Sequence, residues 1–195
     1  MDSKQNVKHR IVDAAWKLFY EKGYDDTTVD DIIRLSGTSK GSFYYYFSSK
    51  DSLLDTLSTI LDEYYQELEK EMDPEMDSFD KLLYLNYKAH SFMEQKIDVA
   101  LLASMYSSQL TAKGNRNLLD QNRTYYRLSG RIIEEGQKRN QIIREKSIHE
   151  IMKYYSLCER ALVSDWCLNR GDYSLAEYSR EYMPILMEHF RVKKD

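Results

Sequence analysis

The chain has 195 residues but only two prolines, seven glycines and two cysteines. Few prolines and glycines argue against a loop-rich or turn-rich β fold, because both residues punctuate regular structure. The two cysteines, Cys158 and Cys167, cannot form a disulfide framework. On one helix their nine-residue separation puts them on opposite faces and ~13 Å apart, too far to bond. No Cys/His spacing suits zinc. No apolar run approaches the ~20 residues that span a bilayer. Residues Met1 to Lys8 lack the apolar core of a signal peptide, so cytoplasmic residence without membrane attachment is expected. An excess of positive charge is missing too. The net charge is −4, and residues 1–50 carry eight Lys/Arg against seven Asp/Glu. A nucleic-acid partner therefore has to be argued from a local motif, and few neutralised phosphates predict a modest salt dependence.

What is present is helical periodicity. Hydrophobic residues make up 42% and charged residues 31%, an ordinary globular composition that can fill a core. Ile11, Ala14, Ala15, Leu18 and Phe19 recur at helical spacing over residues 7–22, and Gly23 ends that run. Thr28 is a good helix N-cap, which Asp31 can answer in a capping box. Ile32, Ile33 and Leu35 give the short helix that follows a buried face. Gly37 permits a left-handed turn. Ser39 caps a second short helix that is small and polar at its start (Lys40, Gly41, Ser42) and aromatic afterwards (Phe43, Tyr44, Tyr45, Tyr46, Phe47). This is the pattern of a helix-turn-helix, whose second helix offers its start to base edges in the major groove. Small residues there let a backbone approach DNA closely.

The segment resembles the DNA-binding region of the TetR (tetracycline-repressor-like) regulators. The shared elements are Thr27-Thr28, Asp31-Ile32, Gly37-Thr38-Ser39-Lys40-Gly41, Phe43 to Phe47 and Ser49-Lys50-Asp51. The resemblance implies a three-helix DNA-binding domain over residues 1–50 and a helical regulatory domain over residues 51–195. The DNA contacts expected are Thr28, Thr38, Ser39, Lys40, Ser42, Tyr44, Tyr45 and Lys50. Thr28 and the amides at the second helix start suit phosphate. Tyr44 and Lys50 match phosphate-clamping positions, and Thr38, Lys40, Ser42 and Tyr45 match positions facing the groove. Phe43, Tyr46 and Phe47 are expected in the core.

The rest of the chain reads as all-α. A long helix over residues 50–72 carries Leu53, Leu54, Leu57, Ile60, Leu61, Tyr64 and Leu68 in one stripe, and in the family it links reader to regulatory core. Residues 79–96 and 99–110 make two more helices, the second apolar on most sides and so expected to be buried on most sides. A surface loop over 111–117 precedes a helix over 118–139, with Asn140 at a left-handed turn. Ser147 to Glu150 is a capping box opening a helix with the stripe Ile148, Ile151, Met152, Tyr155, Glu159, Leu162 and Trp166. Ser174 to Glu177 is a second box, opening a last helix through Phe190 that Pro184 should kink.

With 17 tyrosines, a pocket for an unidentified small-molecule effector is expected between the fifth to eighth helices. Its candidate lining is Tyr84, Tyr87, Met105, Tyr106, Tyr125, Tyr126, Tyr154, Tyr155 and Cys158. Tyrosine offers an apolar wall with a polar tip, suited to planar or cationic ligands. The last two helices are amphipathic, and two copies would form a four-helix bundle. Leu162, Trp166, Tyr178, Tyr182, Ile185 and Leu186 are the candidate homodimer interface. The function expected is a ligand-responsive repressor on a palindromic operator in double-stranded DNA. An enzyme is the competing class, but His9, His90, His149 and His189 are scattered, and no nucleophile, base and oxyanion donor converge. No cofactor is implied. A constitutive architectural DNA-binding protein is the third reading.

Overall fold

Helix boundaries follow the capping residues. The computed structural model describes residues 3–111 and 116–193, with side chains from Asn6. Among these are nine α-helices and no strand. They are α1 (Ser3–Lys22), α2 (Val29–Ser36), α3 (Lys40–Tyr46), α4 (Asp51–Glu71), α5 (Ser78–Lys96), α6 (Val99–Thr111), α7 (Thr124–Lys138), α8 (Ile148–Leu168) and α9 (Leu175–Met187). They pack as two compact units. The first takes residues up to Ile60 together with Asp98–Leu118, and the second takes Leu61–Ile97 and the residues from Leu119 on.

In the first unit α1 packs on α2 and α3. Its core includes Ile11, Ala15, Phe19, Ile32, Phe43, Phe47, Leu53 and Leu57. Trp16 Nε1 donates to Thr56 Oγ1 at 2.9 Å, fixing α1 to α4. The unit also includes α6, where the expectation of burial on most sides is corrected. Leu101, Leu102, Met105 and Gln109 form one buried face, whereas Ala100 and Leu110 are exposed. Ser104, Ser107, Ser108 and Thr111 make the other side polar, so one stripe alone needs covering. Most of the expected 111–117 loop lies outside the described residues.

In the second unit α5 packs against α7 and α9, and α8 against α7 and α9. The helix expected over 118–139 is broken. A 3-10 turn covers Asn117–Leu119 and α7 begins only at Thr124. The reason is local: Asp120 Oδ1 accepts from the Asn122 backbone N–H at 2.9 Å, a side-chain turn that competes with helix. Asn140 takes the left-handed conformation expected, with φ 55°. The box at Ser147 and Glu150 is complete. That at Ser174 is half a box: its Oγ accepts from Glu177 N–H, but Glu94 on α5 supplies the second acceptor, at 2.9 Å from Ala176 N. The last helix stops at Met187, earlier than expected, and a 3-10 turn carries Glu188–Phe190. Beyond it the chain pairs with residues 141–143 through Ile143 N–H to Phe190 O and Val192 N–H to Gln141 O, both 3.0 Å.

Candidate nucleic-acid interface and helical core

The turn between α2 and α3 is built from its capping residues. Thr28 and Asp31 form the reciprocal box at the start of α2, and Gly37, with φ 61°, ends that helix. Ser36 and Thr38 share a hydroxyl hydrogen bond of 2.7 Å across the turn. Ser39 Oγ then accepts from Ser42 N–H at 3.0 Å, opening α3. Asp31 also gathers Lys22, at 2.5 Å, and Arg34. Its bonds to Lys22 and to Thr28 hold its carboxyl well below the usual range. That carboxylate engages two of the domain's cations. Lys40 is bound only loosely, 3.8 Å from Asp30 with both side chains mostly exposed, a pair worth at most about 1 kcal/mol.

The expected DNA contacts gather at this exposed helix start, with one exception. Thr28, Ser39 and Lys40 are exposed, Thr38 and Ser42 half-buried. Tyr44 and Tyr45 are 50% and 72% exposed while Phe43 is fully buried. Tyr45 is braced edge-on by Tyr46, which is half-buried, at 4.8 Å, and Tyr44 by Phe43 at 5.3 Å. Lys50 is the exception. Its Nζ donates to the carbonyls of Tyr24 at 2.7 Å and Asp25 at 3.4 Å and lies 4.2 Å from the Tyr24 ring centre. The expected phosphate clamp is placed as a strut, because the loop before α2 turns two backbone carbonyls toward it.

Gly41 was missing from the expected contacts. A Cβ there would meet only Ser39 Oγ, at 3.8 Å. Its helical backbone needs no glycine, and a helical glycine costs roughly 0.5–1 kcal/mol relative to alanine. The space is open on the same exposed stretch as Lys40 and Tyr45, so the missing side chain leaves room for another molecule. Gly41→Ala is expected to raise the unfolding free energy measured in urea by that amount while weakening operator binding about tenfold or more, the scale of one lost close contact. Unchanged operator affinity in a gel-shift titration would sink this reading.

The tyrosine candidates separate. Tyr125, Tyr126, Tyr155 and Cys158 are buried together in the second unit. Tyr84 is half-buried below the Lys88 ammonium. Tyr87 turns to α9, donating to Glu177 at 3.4 Å. Tyr154 is exposed, edge-on to Phe190. Met105 and Tyr106 belong to α6 and to the first unit. At the centre lies a polar cluster that the tyrosine pattern did not single out. Glu159 accepts from the Tyr125 hydroxyl and, at 3.0 Å, from Asn86 Nδ2. His90 Nδ1 pairs with Ser179 Oγ at 2.5 Å. Burial raises the Glu159 carboxyl and lowers His90 to about 3. An acid inside the apolar stripe of α8 was the available signal.

Leu162 and Trp166 are 7% and 4% exposed and close the core of their own chain. Trp166 Nε1 donates to Tyr173 O at 2.8 Å. Both are thereby corrected as interface candidates: they occupy the inward stripe of α8. Tyr178, Tyr182, Ile185 and Leu186 are exposed as expected, joined on the outer face of α8 by Leu157 and Leu168. A cleft of ≈ 360 Å³ beside them is lined by Tyr173, Tyr178 and Arg180 among others.

A capped helix-turn-helix with an open second helix, followed by a helical unit, defines a DNA-binding regulator. Residues 11–57 match the family described as bacterial regulatory proteins, tetR family. Over 96% of its length the chain is 29% identical to the HTH-type transcriptional regulator HbdR of Aromatoleum sp. (strain CIB), 82% of which is covered. Over 49 residues it is 49% identical to the biofilm operon icaADBC HTH-type negative transcriptional regulator IcaR of Staphylococcus aureus (strain Newman), a match covering 25% of the chain and 26% of that protein. Thermus thermophilus FadR, a TetR-family transcriptional repressor solved in complex with lauroyl-CoA, shares the fold with a TM-score of 0.75 at 20% identity over 96% of each chain. The helix-turn-helix is that of the tetR family, as its residues led us to expect, and along its length the chain is similar to a transcriptional regulator of the HTH type. No described helix is long and apolar enough to cross a membrane.

Proposed function

We propose that the protein is a homodimeric repressor that holds a palindromic operator and releases it when a small molecule enters the helical unit. The observation that carries this reading is the start of α3: capped by Ser39, exposed at Lys40 and Tyr45, and open at Gly41. In this reading residues 1–50 are the DNA reader and residues 51–195 the regulatory domain. The protein works in the cytoplasm, where the DNA is, and has no catalytic role. Affinity rests on capped helix starts, Tyr44 and Lys40 rather than on a broad basic face.

Dimerisation is supported by the outer faces of α8 and α9, where Leu157, Leu168, Tyr182, Ile185 and Leu186 are exposed. A second copy burying the same face makes an isologous four-helix bundle and gives two recognition helices for two half-sites. The effector must bind the released and DNA-bound states unequally, or no shift follows. The acyl-CoA bound to the Thermus relative makes that class one candidate.

The test starts from an inverted repeat in the DNA upstream of the coding region. Two chains are expected per repeat by light scattering of the complex, with release by a small-molecule extract of the source cell. One chain per repeat, or indifference to every extract fraction, would overturn the reading. Lys40→Ala is expected to relax preference at one base step by ~1–3 kcal/mol. An equal loss on random DNA would instead make Lys40 a phosphate contact.

A further inference from the structure

Glu159 is 7% exposed, yet the ion pairs of the described residues do not include it. Its attraction to Arg160, the next residue, is weaker than its hydrogen bonds. Tyr125 donates to one carboxyl oxygen and Asn86 Nδ2 to the other. The Tyr155 hydroxyl spends its single proton on the Leu82 carbonyl, at 2.8 Å. Burial raises the Glu159 carboxyl, which favours its neutral form. The second Asn86 hydrogen points at His90 Nε2, 3.5 Å away, so His90 carries its proton on Nδ1 and gives it to Ser179. One acceptor is left over: Asn86 Oδ1, in a residue 1% exposed, has no partner.

A buried acceptor without a donor is costly, and the buried Glu159 carboxyl makes no ion pair among the described residues. The walls are aromatic. The Tyr65 and Tyr125 rings lie 5.3 Å apart, and Tyr125 stacks on Tyr155 at 6.3 Å. A positively charged nitrogen satisfies all three features, since it donates to Asn86 Oδ1, pairs with Glu159 and sits against ring faces. A carboxylate or phosphate satisfies none. We propose that this cluster is the recognition point of the effector and selects a ligand bearing a primary or secondary ammonium group. The inference rests on the reading above that a small molecule enters the helical unit.

Entry is through Tyr125, which covers Glu159 from the first turn of α7. The N-cap of that helix, Arg123, makes no capping side-chain bond. Asp62 on α4 holds the turn instead, at 3.1 Å from Arg123 Nε and 3.4 Å from Tyr125 N. Displacing Tyr125 loosens this hold on α4, the helix that runs on from the reader sequence. An ammonium beside Glu159 favours its ionised form over the protonated form that burial favours. His90, the other titratable group facing the cluster from α5, is held neutral by burial, and burial raises the phenols of Tyr125 and Tyr155.

Phenethylamine, neutral 2-phenylethanol and lauroyl-CoA are titrated into the full-length protein by calorimetry, in phosphate and in Tris buffer. The amine is expected to bind at least tenfold more tightly than the alcohol, the scale of one charge-assisted hydrogen bond. The buffer dependence should report release of protons rather than uptake. Glu159→Gln should abolish both the preference and the proton release. A merely structural role would shift stability without touching that discrimination. Tyr125→Phe keeps the ring, removes a competing donor and should tighten amine binding. Equal binding of amine and alcohol, amine binding untouched by Glu159→Gln, or no amine binding at all overturns the proposal. Release of operator by lauroyl-CoA with silent amines would sink the ammonium class and leave the effector reading standing. Failure of every extract fraction to release operator would sink both.

Discussion

Phe43→Ala should cost about 3–5 kcal/mol in the DNA-binding unit, the range for emptying a fully buried phenylalanine site. α3 has seven residues, too short to hold its own helical form in water. Phe43 is its fully buried side chain, packed on Phe47 at a ring separation of 5.9 Å. Removing it detaches the recognition helix from its support, so operator binding should vanish at protein concentrations where the wild type saturates. Tyr45→Ala is the control. Tyr45 is exposed, so its loss should lower affinity with little change in the urea midpoint. A Phe43→Ala protein with normal midpoint and normal gel shift would mean that α3 is held by something other than its buried aromatic face.

Acid is expected to unfold the second unit along a slope set largely by His90. The sign follows from its shift. Burial lowers the folded pKa from 6.5 to about 3, so between those values the unfolded chain binds a proton that the fold refuses. Stability is full above pH 6.5 and falls as pH drops, by about 1.4 kcal/mol per pH unit, until about pH 3. Glu159 acts in the opposite sense. Its carboxyl is raised above 4.5 by burial, so its contribution is full below pH 4.5 and declines as pH rises beyond it. Between 4.5 and 6.5 the two offset in part, and below 4.5 the His90 slope should emerge. Asp31, held low by Lys22 and Thr28, adds its own loss in the first unit as pH falls below 3.8. His90→Asn keeps a donor for Ser179 and removes the titration. Urea unfolding from pH 7 to pH 4 should then show a flatter acid limb by one proton. Parallel curves for the two proteins would refute the assignment.

The capped turns were legible because their causes lie within three or four residues. Thr28 with Asp31, Gly37, Ser39, Asn140 and the Ser147 box each satisfy or free their own neighbours' backbone. The break before Thr124 was equally local, but an Asp-Gln-Asn stretch is weak beside the apolar spacing around it. The second half of the Ser174 cap was not legible at all, since Glu94 reaches it from 80 residues away.

By itself, then, the sequence determined the helix-turn-helix with its family pattern and the all-helical class, because short-range capping and spacing select backbone conformations directly. Tertiary structure alone decided which candidates share a place. It turned Lys50 into a strut, buried Leu162 and Trp166 and left one face of α6 open. It also brought Asn86, Tyr125, Tyr155 and Glu159 to one buried point. Those outcomes depend on side chains far apart in the chain, and on whether a neighbouring helix supplies a hydrogen-bond partner or excludes water. A linear pattern of residue types does not carry that information.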